Sequence, residues 1–96
     1  MPKVVIKKST SKGKKLMAVF DFGDGKTKTI HFGSAGMDDF TITGDEEQKK
    51  RYLARHSKNE NWLKYDTAGA LSRWILWNKK SRTASIADYK KRFDLK

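Results

Sequence analysis

The chain has 96 residues, of which 36% are hydrophobic, 34% charged and 11% aromatic, with no cysteine. Twenty-two lysines and arginines against 11 acids leave a net charge of +11. One small domain with a modest core is what such a length allows. Disulfides, thiolate nucleophiles and cysteine-based zinc sites are excluded, and no apolar run nears the ~18 residues of a membrane span. Residues 1–15 hold lysines but no apolar stretch of the kind a secretory signal needs, so the chain is not expected to be secreted. The aromatic content separates it from disordered chains of similar charge.

The charge is uneven along the chain. Residues 1–15 carry six lysines and no acid, residues 16–48 carry two lysines and seven acids, and residues 49–96 carry fourteen basic and four acidic groups. Any polyanionic partner is therefore expected to meet the two ends. Residues 1–15 read as a basic, flexible arm in front of a single domain over 16–96, although Val4, Val5 and Ile6 suit a short strand. Leu16, Ala18, Phe20 and Phe22 alternate with Met17, Val19 and Asp21, which is strand periodicity with one apolar face. Gly23-Asp24-Gly25 is a turn signal, because Asp and Gly tolerate positive φ, and Lys26 to Phe32 alternates again. These features predict a β-hairpin over about 16–32. Phe40-Thr41-Ile42 is expected as a further short strand.

Thr43 and Glu46 have capping-box spacing, and the acids at 45–47 suit the first turn of a helix over about 44–57. On that helix Arg51, Arg55 and Lys58 share one face, while Tyr52, Leu53 and His56 point the other way. Asp66 or Thr67 caps a second helix over 67–78, with Leu71, Trp74, Ile75 and Asn78 on a core stripe, Ala70 and Trp77 beside it, and Arg73 outward. Ser85 and Asp88 start a third helix over 85–93 that buries Ile86, Tyr89 and Phe93. The expected class is α+β: a small antiparallel sheet of two or three strands packed against three helices.

The basic groups are the main functional candidates. They are Lys7, Lys8, Lys12, Lys14 and Lys15 in the arm, Arg51, Arg55 and Lys58 on the first helix, and Arg73, Lys79, Lys80, Arg82, Lys90, Lys91 and Arg92 toward the C-terminus. Lysine and arginine neutralise phosphates and release counterions without base-specific geometry. The plain alternative for any one charge run is a solvated face. Trp62 and Trp77 are candidates for base stacking or for an interface, with a core role as the alternative, which is the stronger reading for Trp74 and Trp77. His31 and His56 lack partners at metal-binding spacing, and neither a metal nor a cofactor is implied. Asp21-Phe22-Gly23 matches a kinase tripeptide without the rest of a kinase, and Gly33-Ser34-Ala35-Gly36 is too short for a phosphate loop. Asp38, Asp39, Asp45, Glu46 and Glu47 form an acidic patch that a helix start explains. An enzyme is not expected.

Several segments carry a resemblance. They are Ile30-His31-Phe32-Gly33, Arg51-Tyr52-Leu53-Ala54-Arg55-His56, Asn59-Glu60-Asn61-Trp62, Leu71-Ser72-Arg73-Trp74-Ile75-Leu76-Trp77-Asn78 and Ala84-Ser85-Ile86-Ala87-Asp88-Tyr89. From Leu16 to Phe93 the chain resembles a family of small basic proteins encoded mainly by large double-stranded DNA viruses of algae and protists. The resemblance implies a protein of the virion or the infected host cell. Two roles fit that context. One is largely sequence-independent binding of nucleic acid, DNA before RNA, in genome packaging. The other is a minor capsid protein whose basic ends meet acidic surfaces of other capsid proteins.

Overall fold

A computed structural model describes residues 2–96; Met1, the first residue of the expected arm, lies outside the described residues. Three strands, β1 (Lys3–Lys8), β2 (Lys14–Gly23) and β3 (Lys26–Ser34), form an antiparallel sheet in the order β1-β2-β3. Four helical segments follow, so the class is α+β, as expected.

Register decides which face of the sheet is buried. Val4 lies opposite Phe20 and Ile6 opposite Ala18, while Ala18 faces Ile30 and Leu16 faces Phe32. With period 2 these side chains share one face and form the floor of the core. Phe22 departs from the expected pattern. A register shift between Asp21 and Gly23 turns the strand end outward, and Phe22 stays exposed, stacked on Phe20 at 5.9 Å between ring centroids. The hairpin turns through Asp24 and Gly25, at φ 54° and 77°. Two consecutive positive values match the right-handed twist of the flanking strands.

The stretch expected as a loose arm is built into the sheet. β1 runs antiparallel to β2, and the turn over 9–13 is fastened to its surroundings. Ser9 N–H donates to the Lys15 carbonyl, and the Ser9 hydroxyl bonds His31 Nδ1 at 2.7 Å and accepts from Ser11 N–H. Val4, 2% exposed, anchors the strand in the core, which is why a lysine-rich segment holds a fixed path. The chain's other end closes the outer edge of β1. Val4 N–H donates to the Lys96 carbonyl, and Lys96 N–H donates to the Pro2 carbonyl. Covering an edge strand this way protects its unpaired backbone groups.

Phe40-Thr41-Ile42 belongs to a short helix, α1 (Phe40–Thr43), and not to a strand. The buried Asp39 carboxylate caps it by accepting from Thr41 N–H, and Gly44 at φ 62° ends it. The next helix, α2 (Glu46–His56), is capped by Asp45, which accepts from Glu47 and Gln48 N–H. Thr43, the expected cap, instead accepts from Asp45 N–H and donates to Gln48 Oε1. Thr67 caps α3 (Ala68–Leu71), which widens into a π-helical turn over Ser72–Leu76. The wider turn ends the helix before Trp77 and rotates the stripe: Leu71, Ile75, Leu76 and Trp77 are buried, whereas Trp74 is only half-buried.

The last helix, α4 (Arg82–Arg92), starts three residues earlier than expected, capped by Ser81. Ser85, the expected start, is fully buried; its hydroxyl accepts from Lys79 N–H and donates to the Lys79 carbonyl. Asp88 faces Asn78 and Arg92 in place of a helix start. Tyr89 is fully buried between sheet and helices, with its hydroxyl on the Tyr65 carbonyl. Among the described residues no helix is long and apolar enough to cross a membrane.

Candidate nucleic-acid interface

The antiparallel pairing of β1 with β2 gathers Lys7, Lys8, Lys12 and Lys14 at one end of the sheet, all exposed. Lys15 is at the same end but is not free. Its Nζ is salt-bridged to the carboxylate of Asp39, itself 1% exposed. A buried carboxylate without a partner is costly, so this lysine serves the fold.

Across from the sheet end runs α2, with Arg51 and Arg55 exposed on its outer side. The two are joined by a cleft of about 370 Å³. Lys14 and Lys15 stand on one wall, Arg55 and His56 on the other, with Gly33, Leu76 and Trp77 also lining it. A second groove continues past Met37, Asp38, Arg55 and Trp77 to Gln48 and Arg51. The cleft and groove thus bring Lys14 and Lys15 of the arm near Arg51 and Arg55, with Asp38, Asp39 and Glu60 among the same linings. Lys58, just past the end of α2, is also exposed.

Gly33 permits this cleft. It sits at φ +79°, and a Cβ there would meet Leu76 Cδ1 at 2.7 Å. Below, rings are stacked: Trp77 on Tyr52 at 4.3 Å and 7°, and Tyr52 on His56 at 4.2 Å and 25°. Burial pushes the Tyr52 phenol up to about 12, with the Glu60 charge adding to the effect. His56 Nδ1 lies 3.4 Å from Glu60 Oε1, which also accepts from Trp62 Nε1.

The C-terminal residues divide. Lys79, Lys80, Arg82 and Lys91 are exposed and Lys90 is half-buried. The Lys80 stem lies over Gly44, beside the start of α2. None of these residues lines the cleft or the groove. Arg73 contradicts its expected outward position. Its guanidinium lies 4.2 Å from the Trp74 ring centroid and 5.4 Å from that of Trp62, and Nη1 donates to the Trp77 carbonyl. Burial, then the charge of Arg92, lowers its pKa, and its Nε is buried without a partner. The Trp77 carbonyl lies at the end of the helix, where it has no intrahelical donor, and Arg73 supplies one. Arg92 covers Trp74 at 3.9 Å and is tied to Asp88. Burial raises the Asp88 pKa, but the Asn78 amide and Arg92 outweigh it and hold it low.

Of the two tryptophan candidates for stacking or an interface, Trp77 takes the core role that is its stronger reading from sequence, at 8% exposure. Trp62 is half-buried, and its carbonyl accepts from Trp74 Nε1. Lys49 was not singled out from sequence; its ammonium donates to the Asn78 carbonyl and lies 4.7 Å from the Phe40 ring centroid. Burial, then Arg73, lowers its pKa. The stack through Tyr52 and His56 was also missed, although their i, i+4 spacing on α2 is its signal. No group of three metal-ligating side chains occurs among the described residues.

The fold is thus a three-stranded meander with helices over one face and a cleft lined by both basic and acidic side chains. The chain belongs to a family of unknown function, DUF5754, whose model matches residues 4–56, from β1 through α2. No curated protein and no solved structure matches the chain.

Proposed function

We propose that this protein is a non-catalytic nucleic-acid-binding protein that contacts DNA phosphates through its basic surface, in the packaging of a large viral DNA genome. One observation carries the reading. Among the described residues only Lys15, Lys28 and Arg92, of 22 lysines and arginines, meet a carboxylate. Arg73 and Lys49 are engaged by backbone carbonyls, and the exposed remainder is left for a partner. Such density attracts a polyanion at long range.

Lys14, Arg51 and Arg55 then contact phosphates along the cleft and groove, and Lys7, Lys8, Lys12 and Lys58 add exposed charge at the sheet end and past the end of α2. Lys79, Lys80, Arg82, Lys90 and Lys91 supply further phosphate contacts away from it. Contacts spread in this way suit bridging or condensing strands more than reading a sequence in one groove. Arg73 drops out of the set, and Lys15 and Arg92 contribute little because their charges are already met.

The test is charge reversal at Arg51, Arg55 and Lys58, measured by fluorescence anisotropy on a random-sequence duplex. The reading expects binding at low salt to weaken at least tenfold, with about one fewer counterion released for each phosphate no longer neutralised. Unchanged binding places the partner elsewhere and favours an acidic capsid protein.

A further inference from the structure

We propose that the cleft between the sheet end and α2 holds one unpaired nucleotide, its base stacked on His56 and its phosphates against Lys14 and Arg55. The inference rests on the nucleic-acid reading above and adds a preference for unpaired strands. Three features point to it. First, the ring stack ends at His56. Trp77 and Tyr52 are buried in the stack, whereas the His56 side chain is 37% exposed and lines the cleft. A flat ring at the open end of a stack is a platform for another flat ring, and every base has such a face.

Second, the cleft holds about 370 Å³, near the lower end of the ~300–1,000 Å³ usual for small-molecule sites. One nucleotide suits that space, and a duplex with its bases paired cannot enter it. Third, the cleft carries cations that no carboxylate meets. Lys14 and Arg55, exposed and without carboxylate partners, stand on opposite walls where a backbone would pass. Inside, the Glu60 carboxylate offers a hydrogen bond to a base edge, and of the two other acids in the lining, Asp38 and Asp39, Asp39 is already paired with Lys15. Glu60 also holds His56 and Trp62 in place.

The platform is rigid. His56 lies in the last turn of α2, and its neighbour in the stack, Tyr52, is fixed by Trp77. Ordering a base there costs little side-chain entropy, since the rings are already in place.

The test uses a twelve-nucleotide mixed-sequence DNA single strand and the blunt duplex of the same sequence, each titrated with the wild type, His56→Ala and Lys90→Ala/Lys91→Ala. The single strand should bind more tightly than the duplex. His56→Ala should remove about five- to tenfold of single-strand affinity, the loss of one base–ring stack, and leave duplex binding unchanged. The unchanged duplex affinity also shows that the variant is folded. The Lys90/Lys91 pair should weaken both ligands alike. If the duplex binds as well as the single strand and His56→Ala changes neither, the cleft assignment fails while the nucleic-acid reading stands. If neither ligand binds at physiological salt, both fail.

Discussion

Replacing Gly33 by Ala tests whether the cleft floor is as tight as the geometry requires. The residue sits at φ +79°, where a Cβ costs roughly 1–2 kcal/mol. The new methyl would also lie 2.7 Å from Leu76 Cδ1 and 3.3 Å from Lys15 Cβ. Leu76 is 2% exposed, so moving its Cδ1 aside means repacking the core next to it, and overpacking adds about 1–3 kcal/mol. The stiffer unfolded chain returns about 0.4–1 kcal/mol. The net loss is about 2–4 kcal/mol, a fall in Tm of roughly 10–20 °C for a domain this size. Gly36 is the internal control. Its φ is +82°, but nothing lies within 4 Å of the added Cβ. Gly36→Ala carries the backbone strain alone and should cost ~1 kcal/mol. Urea unfolding followed by tryptophan fluorescence measures both. Equal losses in the two variants would refute the contact between Gly33 and Leu76 as the limiting feature.

Arg73→Ala should destabilise the fold by about 1–3 kcal/mol, because it removes the charged hydrogen bond to Trp77 and the stacking on Trp74. It should leave the salt dependence of DNA binding unchanged; a loss of DNA affinity with stability intact would return Arg73 to the binding surface. Alkaline pH should destabilise the protein through Tyr52, whose phenol ionises near 10 when unfolded and at about 12 when folded. The folded state then holds the proton longer, so this contribution is complete below pH ~10 and is lost as pH rises toward ~12. Tyr52→Phe should flatten the decline over that window in urea titrations, and an unaltered slope would contradict the burial assigned to the phenol.

The elements set by strong local patterns were legible in the sequence. Alternation from Leu16 to Phe32 around Asp24-Gly25 yields the hairpin, and the Tyr89 stripe yields α4. What was not legible depends on contacts distant in sequence. β1 is ordered because Val4 reaches Phe20 and the C-terminal tail bonds its edge, which no local reading of lysines discloses. Phe40 starts a helix because Asp39 is buried as a cap, and its charge is tolerated only because Lys15 arrives from β2. The π turn displaces the stripe of α3, and this takes Arg73 inward and leaves Trp74 only half-buried. Of the candidate site, the basic residues are readable from sequence, but the meeting of Lys14 with Arg55 across a cleft is not. That arrangement follows from the fold of the sheet end against α2.

The most direct measurement is the affinity for a random-sequence DNA duplex at several salt concentrations between about 50 and 200 mM. Phosphate binding by this surface predicts a linear fall of log affinity with log salt, its slope equivalent to ~4 or more phosphates. Weak binding with a shallow slope would contradict the account and leave the +11 charge to a protein partner.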